Sequence, residues 1–213
     1  MERAIRVAKK EGAHVQGTIC YTISPVHDIP LYLKVTRELM DLGVDSICIK
    51  DMAGLISPYM AFELVTALKK EFDIPLQLHC HYTSGMASMA YLKGIEAGCD
   101  VVDTASVPLA FGSSQPPVET LVRALQDSDA DTGMDLAKLF EIADYFDKLR
   151  KVRGFERGVT RITDMKVFEH QVPGGMISNF ISQLEEQNAT DRIGEVLEEI
   201  PRVRKDMGYP PLV

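Results

Sequence analysis

Two stretches near the middle of the chain decide the fold: DSICIKDMAG at residues 45–54 and PLQLHCH at residues 75–81. Each is an apolar run of strand length that ends in polar side chains. Successive side chains of a strand point to opposite faces, so His79 and His81 share one face and Cys80 points to the other. Two imidazoles aimed at one point can bind a divalent cation such as zinc, which leaves Cys80 as a packing residue.

Similar apolar, β-branched runs recur along the first half of the chain, at residues 15–21, 45–49, 76–81 and 101–105. Their first residues lie 30, 31 and 25 positions apart, which is the size of one strand plus one crossover helix. The segments between them have helical periodicity, and Asp28, Ser57 and the pair Thr83-Ser84 are candidate helix N-caps. The pattern predicts alternating helices and strands in a parallel α/β fold.

The chain beyond Gln126 has a different pattern. A polar linker at residues 127–133 is followed by a long amphipathic helix that begins near Leu136, and then by two further helical runs. We expect no strand in this part. The sequence therefore predicts an α/β domain at residues 1–126 and a helical C-terminal extension at residues 127–213.

Composition narrows the class of protein. The chain has 213 residues, and 46% of them are hydrophobic, which is enough for a real core. A formal net charge of −8, with no Lys/Arg-rich run, argues against nucleic acid or an anionic membrane as a partner. No apolar run approaches the roughly 20 residues that span a bilayer. The N-terminus shows no signal-peptide core either, so we expect a cytoplasmic location. The 4 cysteines are widely spaced and lack a CxxC pairing, so we expect reduced, buried thiols.

The polar residues at the strand ends are expected to converge. In parallel α/β folds, ligand-binding groups collect at the carboxyl ends of the strands, where Lys50, His79, His81 and residues 106–115 all fall. The histidines and the lysine could also have no function in binding. The histidines of a His-x-His strand are often a hydrogen-bonded structural pair, and a lone lysine is most often a solvated charge. A protonated lysine cannot ligate a metal, so Lys50 could do so only as a carbamate. The convergence favours the functional interpretation.

A set of ordered motifs gives the chain a resemblance to a known family. They are GTICYT at 17–22, IKDMAG at 49–54, HCHYTSG at 79–85, GSSQPP at 112–117, PGGMISN at 173–179 and IPRVR at 200–204. Together they resemble the carboxyltransferase component of biotin-dependent enzymes, a family that includes pyruvate carboxylase, the oxaloacetate decarboxylase α subunit and transcarboxylase. The chain is most similar to the separate B-subunit type of pyruvate carboxylase.

The resemblance implies a (β/α)8 TIM barrel with a divalent metal, usually zinc, with manganese or cobalt as alternatives. In this family the metal is held by two histidines, a carboxylated lysine and an aspartate. His79 and His81 match the histidines, and Lys50 matches the lysine. Ser113 matches a hydroxyl, usually a threonine, that moves a proton between the methyl group of pyruvate and the enolate of biotin. A serine beside prolines could also be a turn or helix-cap residue.

The resemblance also implies that part of the barrel lies outside this chain. Relatives carry four more strand–helix units before the point that matches Met1, and these include the aspartate ligand and an arginine that binds the substrate carboxylate. We therefore expect only the last four strand–helix units of a barrel at residues 1–126. Such a half barrel would expose two strand edges and an apolar interior, which predicts a homo-oligomer or a complementing N-terminal half.

The activity implied is transfer of a carboxyl group between carboxybiotin and pyruvate or oxaloacetate. Biotin would arrive on a separate biotin carrier protein, after loading by a biotin carboxylase. Two alternatives stay open: a metal-dependent lyase or Claisen-type synthase on a similar barrel, and a non-catalytic fragment that acts only in assembly. The direction of carboxyl transfer is left open by the motifs.

Overall fold

The structure is a computed structural model, and it describes residues 2–155 and 163–212. Its elements are α1 (Glu2–Lys10), β1 (Gln16–Cys20), α2 (Ile29–Asp41), β2 (Ser46–Asp51), α3 (Pro58–Glu71), β3 (Leu76–Cys80), α4 (Ala87–Glu96), β4 (Val101–Val102), α5 (Val118–Leu125), α6 (Leu136–Val152), α7 (Val167–His170), α8 (Gly174–Glu186) and α9 (Ile193–Asp206). The strands form one parallel sheet in the order β1-β2-β3-β4. The predicted alternation of strands and helices is confirmed.

The fourth strand is shorter than the sequence predicts. We expected residues 101–105, but β4 ends at Val102. The next residues leave the sheet because Ala105 pairs with the segment before α5: its N–H donates to Pro116, and its carbonyl accepts from Val118. No strand follows in the part of the chain beyond β4 that the structure describes.

Local capping explains where two helices begin. Asp28 accepts the N–H of Leu31 at 2.9 Å, and Ser57 accepts the N–H of Met60 at 3.1 Å, each with a proline in the first turn of the helix. The third expected cap is wrong, because α4 begins at Ala87 without a side-chain cap. Ser84 instead donates its hydroxyl to the carbonyl of Gly54 and so ties the loop after β3 to the loop after β2.

The two faces of the sheet have opposite character. The face covered by helices carries aliphatic side chains that are at most 2% exposed: Ile19, Ile47, Ile49, Leu76 and Leu78. The other face, called the polar face below, carries the alternate residues Gln16, Thr18, Cys20, Ser46, Cys48, Lys50, Gln77 and His79. The expectation of an apolar interior is therefore wrong, because these alternate positions hold polar side chains and thiols.

The helical extension packs against the carboxyl ends of the strands. Helix α6 contacts α5, and α9 contacts α7. The N–H of Leu212 donates to Thr22, and the N–H of Asp164 donates to the carbonyl of Thr83, both of which follow strand ends. Val167 is buried and joins the main core. Within the described ranges, no helix combines the length and apolar character that crossing a membrane requires.

Candidate metal centre at the strand ends

The strand register brings the predicted ligands to one place. Lys50 on β2 pairs with His79 on β3, and paired residues of neighbouring parallel strands project to the same face. His81 lies two residues further along on that face, and the two imidazole centroids are 5.1 Å apart. Cys80 points into the helix-covered core, as the strand alternation predicts. The three residues therefore lie together at the carboxyl end of the polar face.

The tautomer of His79 is set by a carboxylate. Its Nδ1 lies 2.7 Å from Oδ2 of Asp103, which only accepts when ionised, so Nδ1 carries the proton. The Nε2 atom then has a free lone pair, and it is buried with no hydrogen-bond partner in the described structure. A buried unpaired nitrogen is costly. Metal-ligating histidines commonly donate their other N–H to a carboxylate in this way, so His79 fits a metal ligand.

His81 is held in the same tautomer by a different acceptor. Its Nδ1 lies 2.6 Å from the carbonyl oxygen of Ser113, and a carbonyl can only accept. Burial lowers the pKa of His81, although the hydrogen bond to the carbonyl of Ser113 acts in the opposite direction. The neutral imidazole, which is the form that binds metal, is therefore favoured with Nε2 free.

A hydrogen-bond chain across the polar face holds Asp103. Gln77 donates to the same Oδ2 atom at 2.7 Å, and Gln16 donates to Gln77 at 2.9 Å and to Ser46 at 3.2 Å. The chain therefore runs from β1 to the segment after β4. Sequence reasoning missed Asp103 as a site residue. The sequence feature that could have identified Asp103 is its position in the run VVDTA, directly after the strand that pairs with the strand of His79.

Ser113 lies where the extension meets the sheet. The cleft there has a volume of about 320 Å³ and is lined by Met52, His81, Ser113, Pro173, Gly175, Met176 and Asn179. A Cβ atom on Gly174 would come within 2.9 Å of the Cβ of Ser113, so this approach requires glycine. The N-cap of α5 is Pro117, so Ser113 does not cap that helix. It belongs instead to the turn closed by the hydrogen bond from Ser114 to Phe111.

The donor set is incomplete for a tetrahedral metal. Within residues 2–155 and 163–212, no group of three or more His, Cys, Asp or Glu side chains is arranged to hold an ion. Asp51 points to the covered face, where it is fully buried and accepts the N–H of Ile56 at 2.7 Å. The histidine pair therefore needs Lys50 and a further donor to form a closed site.

The fold is that of a parallel α/β domain of the barrel type, and the strand-end histidines form its candidate metal centre. Residues 1–146 match the family model described as HMGL-like, and the chain belongs to that family. Residues 167–213, in the extension, match a second model described as a conserved carboxylase domain. The predicted resemblance to biotin-dependent carboxyltransferases is confirmed.

Similar proteins cover the whole chain but extend well beyond it. The chain is 58% identical to the B-subunit of pyruvate carboxylase from Methanocaldococcus jannaschii, over 100% of this chain and 38% of that protein. It is 44% identical to the methylmalonyl-CoA carboxyltransferase 5S subunit of Propionibacterium freudenreichii subsp. shermanii, over 100% of this chain and 42% of that protein. The chain thus spans about two fifths of the length of these relatives.

The fold agrees with a solved carboxyltransferase. The carboxyl transferase domain of Rhizobium etli pyruvate carboxylase, solved with pyruvate and biocytin, superposes with a TM-score of 0.94 at 30% sequence identity. The match covers 100% of this chain and 37% of that one. The prediction of a TIM-barrel-type fold, present here only in part, is therefore confirmed.

Proposed function

We propose that this chain is the part of a biotin-dependent carboxyltransferase that carries the metal-binding histidines and the proton-transferring hydroxyl. The reaction moves a carboxyl group between carboxybiotin and a keto acid, pyruvate or oxaloacetate. The observation that carries the proposal is the histidine pair beside Lys50: Nδ1 of each imidazole is hydrogen-bonded, to Asp103 and to Ser113, and the buried Nε2 of His79 has no partner in the described structure. The two relatives and the solved domain support the same chemistry.

A divalent metal, with zinc preferred over manganese or cobalt, fits His79, His81 and Lys50. When bound, the metal supplies a Lewis acid for the carbonyl oxygen of the keto acid. Lys50 would bind it as a carbamate, which forms when the neutral Nζ attacks carbon dioxide and loses a proton. Lys50 has no ion-pair partner among the described residues, and Asp51 faces away from it, so no carboxylate blocks its approach to a metal.

Ser113 would move the proton. Its hydroxyl would accept a proton from the methyl group of pyruvate while passing its own proton to the enolate of biotin. Its carbonyl is bonded to His81, so the turn that carries the hydroxyl is fixed relative to the histidines. Serine lacks the methyl group that restricts the rotamers of threonine, so neighbouring residues must orient it. The start of α8 supplies such neighbours, since Gly174 lies against the Ser113 side chain.

The remaining parts of the machinery would come from other polypeptide segments. Biotin would arrive on a separate biotin carrier protein, loaded by a biotin carboxylase. The residues that complete the metal site and bind the substrate carboxylate would come from the other strand–helix units of the barrel. A second copy of this chain is the alternative partner for the free strand edges. All 4 cysteines are free, which suits a reducing cytoplasm.

One observation separates this function from its nearest alternative. A match to the HMGL-like family at residues 1–146 would also suit a metal-dependent lyase or a Claisen-type synthase. The conserved carboxylase domain at residues 167–213 favours the carboxyltransferase, because the same segment approaches Ser113 through Gly174.

The test combines this chain with a polypeptide covering the rest of the M. jannaschii relative, after light scattering has shown that the two associate. We expect biotin-dependent decarboxylation of oxaloacetate above the metal-only background. The rate should fall roughly 100-fold in Ser113→Ala and stay unchanged in Ser114→Ala, because the loss of one placed group has about this cost. The chain alone should show no Ser113-dependent rate. An associated pair without biotin-dependent activity would support the non-catalytic assembly role instead.

A further inference from the structure

A buried tyrosine lies directly behind the two histidines, on the helix-covered face of β3. The N–H of Cys80 donates to the hydroxyl of Tyr91 at 2.9 Å, and that hydroxyl lies 3.3 Å from the carbonyl oxygen of Cys80, to which it donates. Burial raises the pKa of Tyr91 well above its usual range, so the hydroxyl keeps its proton. One side chain therefore satisfies both backbone groups of the residue that separates His79 from His81.

The strand topology explains why this peptide needs a side chain as a partner. In a parallel strand, alternate residues bond to opposite neighbours. The N–H of His81 donates to Asp51 on β2, whereas the carbonyl of Leu78 accepts from Asp103 on the β4 side. Cys80 lies two residues after Leu78, so its backbone N–H and carbonyl point to the same side of the strand, toward β4. Because β4 ends at Val102, no strand backbone is available there, and the Tyr91 hydroxyl takes that place.

The same residue is also tied to the neighbouring strand. The thiol of Cys80 donates to Oδ2 of Asp51 at 3.3 Å, and Asp51 directly follows Lys50. Fixing the Cys80 peptide therefore fixes the ends of β2 and β3 relative to each other. The directions of His79, His81 and Lys50 all depend on those two strand ends.

We propose that Tyr91 is a positioning residue for the metal centre. Its hydroxyl makes the two hydrogen bonds to Cys80 that a longer β4 would otherwise make. It thereby holds the Cys80 peptide in the conformation that aims both Nε2 atoms at one point. This inference rests on the metal site of the proposed function. It assigns a role in metal affinity to a side chain on the opposite face of the strand from the ligands.

The chain contains a matched control. The N–H of Thr22 donates to the hydroxyl of Tyr32 at 2.9 Å, and this hydroxyl donates to the carbonyl of Thr22 at 3.0 Å. Tyr32 is also buried, in the helix after β1. Tyr32→Phe and Tyr91→Phe therefore remove the same number of hydrogen bonds from equivalent positions. Only Tyr91 holds the residue between the two histidines.

The experiment measures cobalt(II) affinity by competition with a chelator, the visible cobalt spectrum and the thermal unfolding midpoint, for both variants and the unsubstituted chain. Sucrose, which strengthens the folded state, is included so that both variants stay folded. We expect similar drops in the midpoint for the two variants. Only Tyr91→Phe should weaken cobalt binding, by about tenfold or more, and change the spectrum, as happens when groups behind metal ligands are lost.

The outcomes separate this inference from the proposed function. Equal cobalt affinity in the unsubstituted chain and in Tyr91→Phe would overturn the positioning role and leave the metal site intact. Equal weakening in both tyrosine variants would also overturn it, because the effect would then follow general stability. Cobalt binding no stronger than that of a His79→Ala/His81→Ala double variant would show that the metal site itself is wrong.

Discussion

The two faces of β2 and β3 differ although they are built from alternate residues of the same strands. Ile47, Ile49 and Leu78 are 0% exposed under the helices, whereas Lys50 and His79 project from the polar face. Burial of the aliphatic side chains stabilises the fold. The polar face contributes the hydrogen-bond chain that ends at His79. The comparison teaches that the covered face stabilises the fold and the polar face carries the candidate chemistry. Substitutions on the covered face should therefore change the free energy of unfolding, and substitutions on the polar face should change metal affinity.

The largest effect is expected on the covered face. Ile49→Ala removes a fully enclosed side chain next to Lys50, and truncations of this kind cost about 2–5 kcal/mol in the free energy of unfolding. Urea denaturation measures the loss. Thr18→Ala, at an exposed position of the polar face, is the control and should change stability by no more than about 0.5 kcal/mol. Equal losses in both variants would contradict the division between the faces.

The next effect is on metal affinity. Asp103→Asn removes the carboxylate that accepts from Nδ1 of His79, so the tautomer with a free Nε2 loses its preference. We expect metal binding to weaken by about 10–100-fold, as measured by chelator competition. Asp73→Asn, on the exposed surface between α3 and β3, is the matched control and should bind as the unsubstituted chain does. Unchanged metal affinity in Asp103→Asn would show that the Asp103 carboxylate does not set the metal-binding tautomer of His79.

Sequence reasoning succeeded where one strand carries the whole signal. The alternation in PLQLHCH places His79 and His81 on one face, and the rule that ligands collect at the carboxyl ends of parallel strands adds Lys50. Asp103 and Gln77 could not be assigned in this way. Their contact depends on the register between β3 and β4 and on where β4 ends, which is decided by the pairing of Ala105 with the segment before α5.

The contact between the helical extension and Ser113 could not be predicted from the sequence either. The motif PGGMISN was recognised, but its contact with Ser113 joins residues about 60 positions apart. Such a contact is set by helix packing and leaves no local periodicity. Ser84 shows the same limit in a loop: its sequence context predicts a helix cap, whereas its hydroxyl reaches Gly54 in the neighbouring loop.

The smallest effect concerns the extension and pH. His170 is buried, and its Nδ1 accepts the N–H of Val172 at 3.0 Å. Burial lowers the pKa of His170, although the negative charges of Asp164 and Glu169 oppose this shift. The unfolded chain, with a histidine pKa of about 6.5, therefore takes up the proton first on acidification. The contribution of His170 to stability is complete above that pH and is lost as the pH falls toward the lowered pKa.

Denaturation at pH 7.5 and pH 5.5 checks this sign. The loss of stability on acidification should be smaller in His170→Gln than in the unsubstituted chain, because glutamine does not titrate. Zinc affinity at pH 7.5 should be equal in the two proteins, since His170 has no part in the polar face. A change in zinc affinity would show that the extension and the metal centre are coupled more tightly than the comparison of the two faces allows.

The metal content of the chain tests the central claim most directly. The unsubstituted chain, His79→Ala, His81→Ala and the control His14→Ala are dialysed against the same zinc buffer and submitted to elemental analysis. His14 bonds to Ser46 near the opposite end of the strands, so its replacement should leave the zinc content unchanged. We expect about one zinc per chain in the unsubstituted protein and in His14→Ala, and little in the other two variants. Equal zinc in all samples would contradict the assignment of His79 and His81 as ligands.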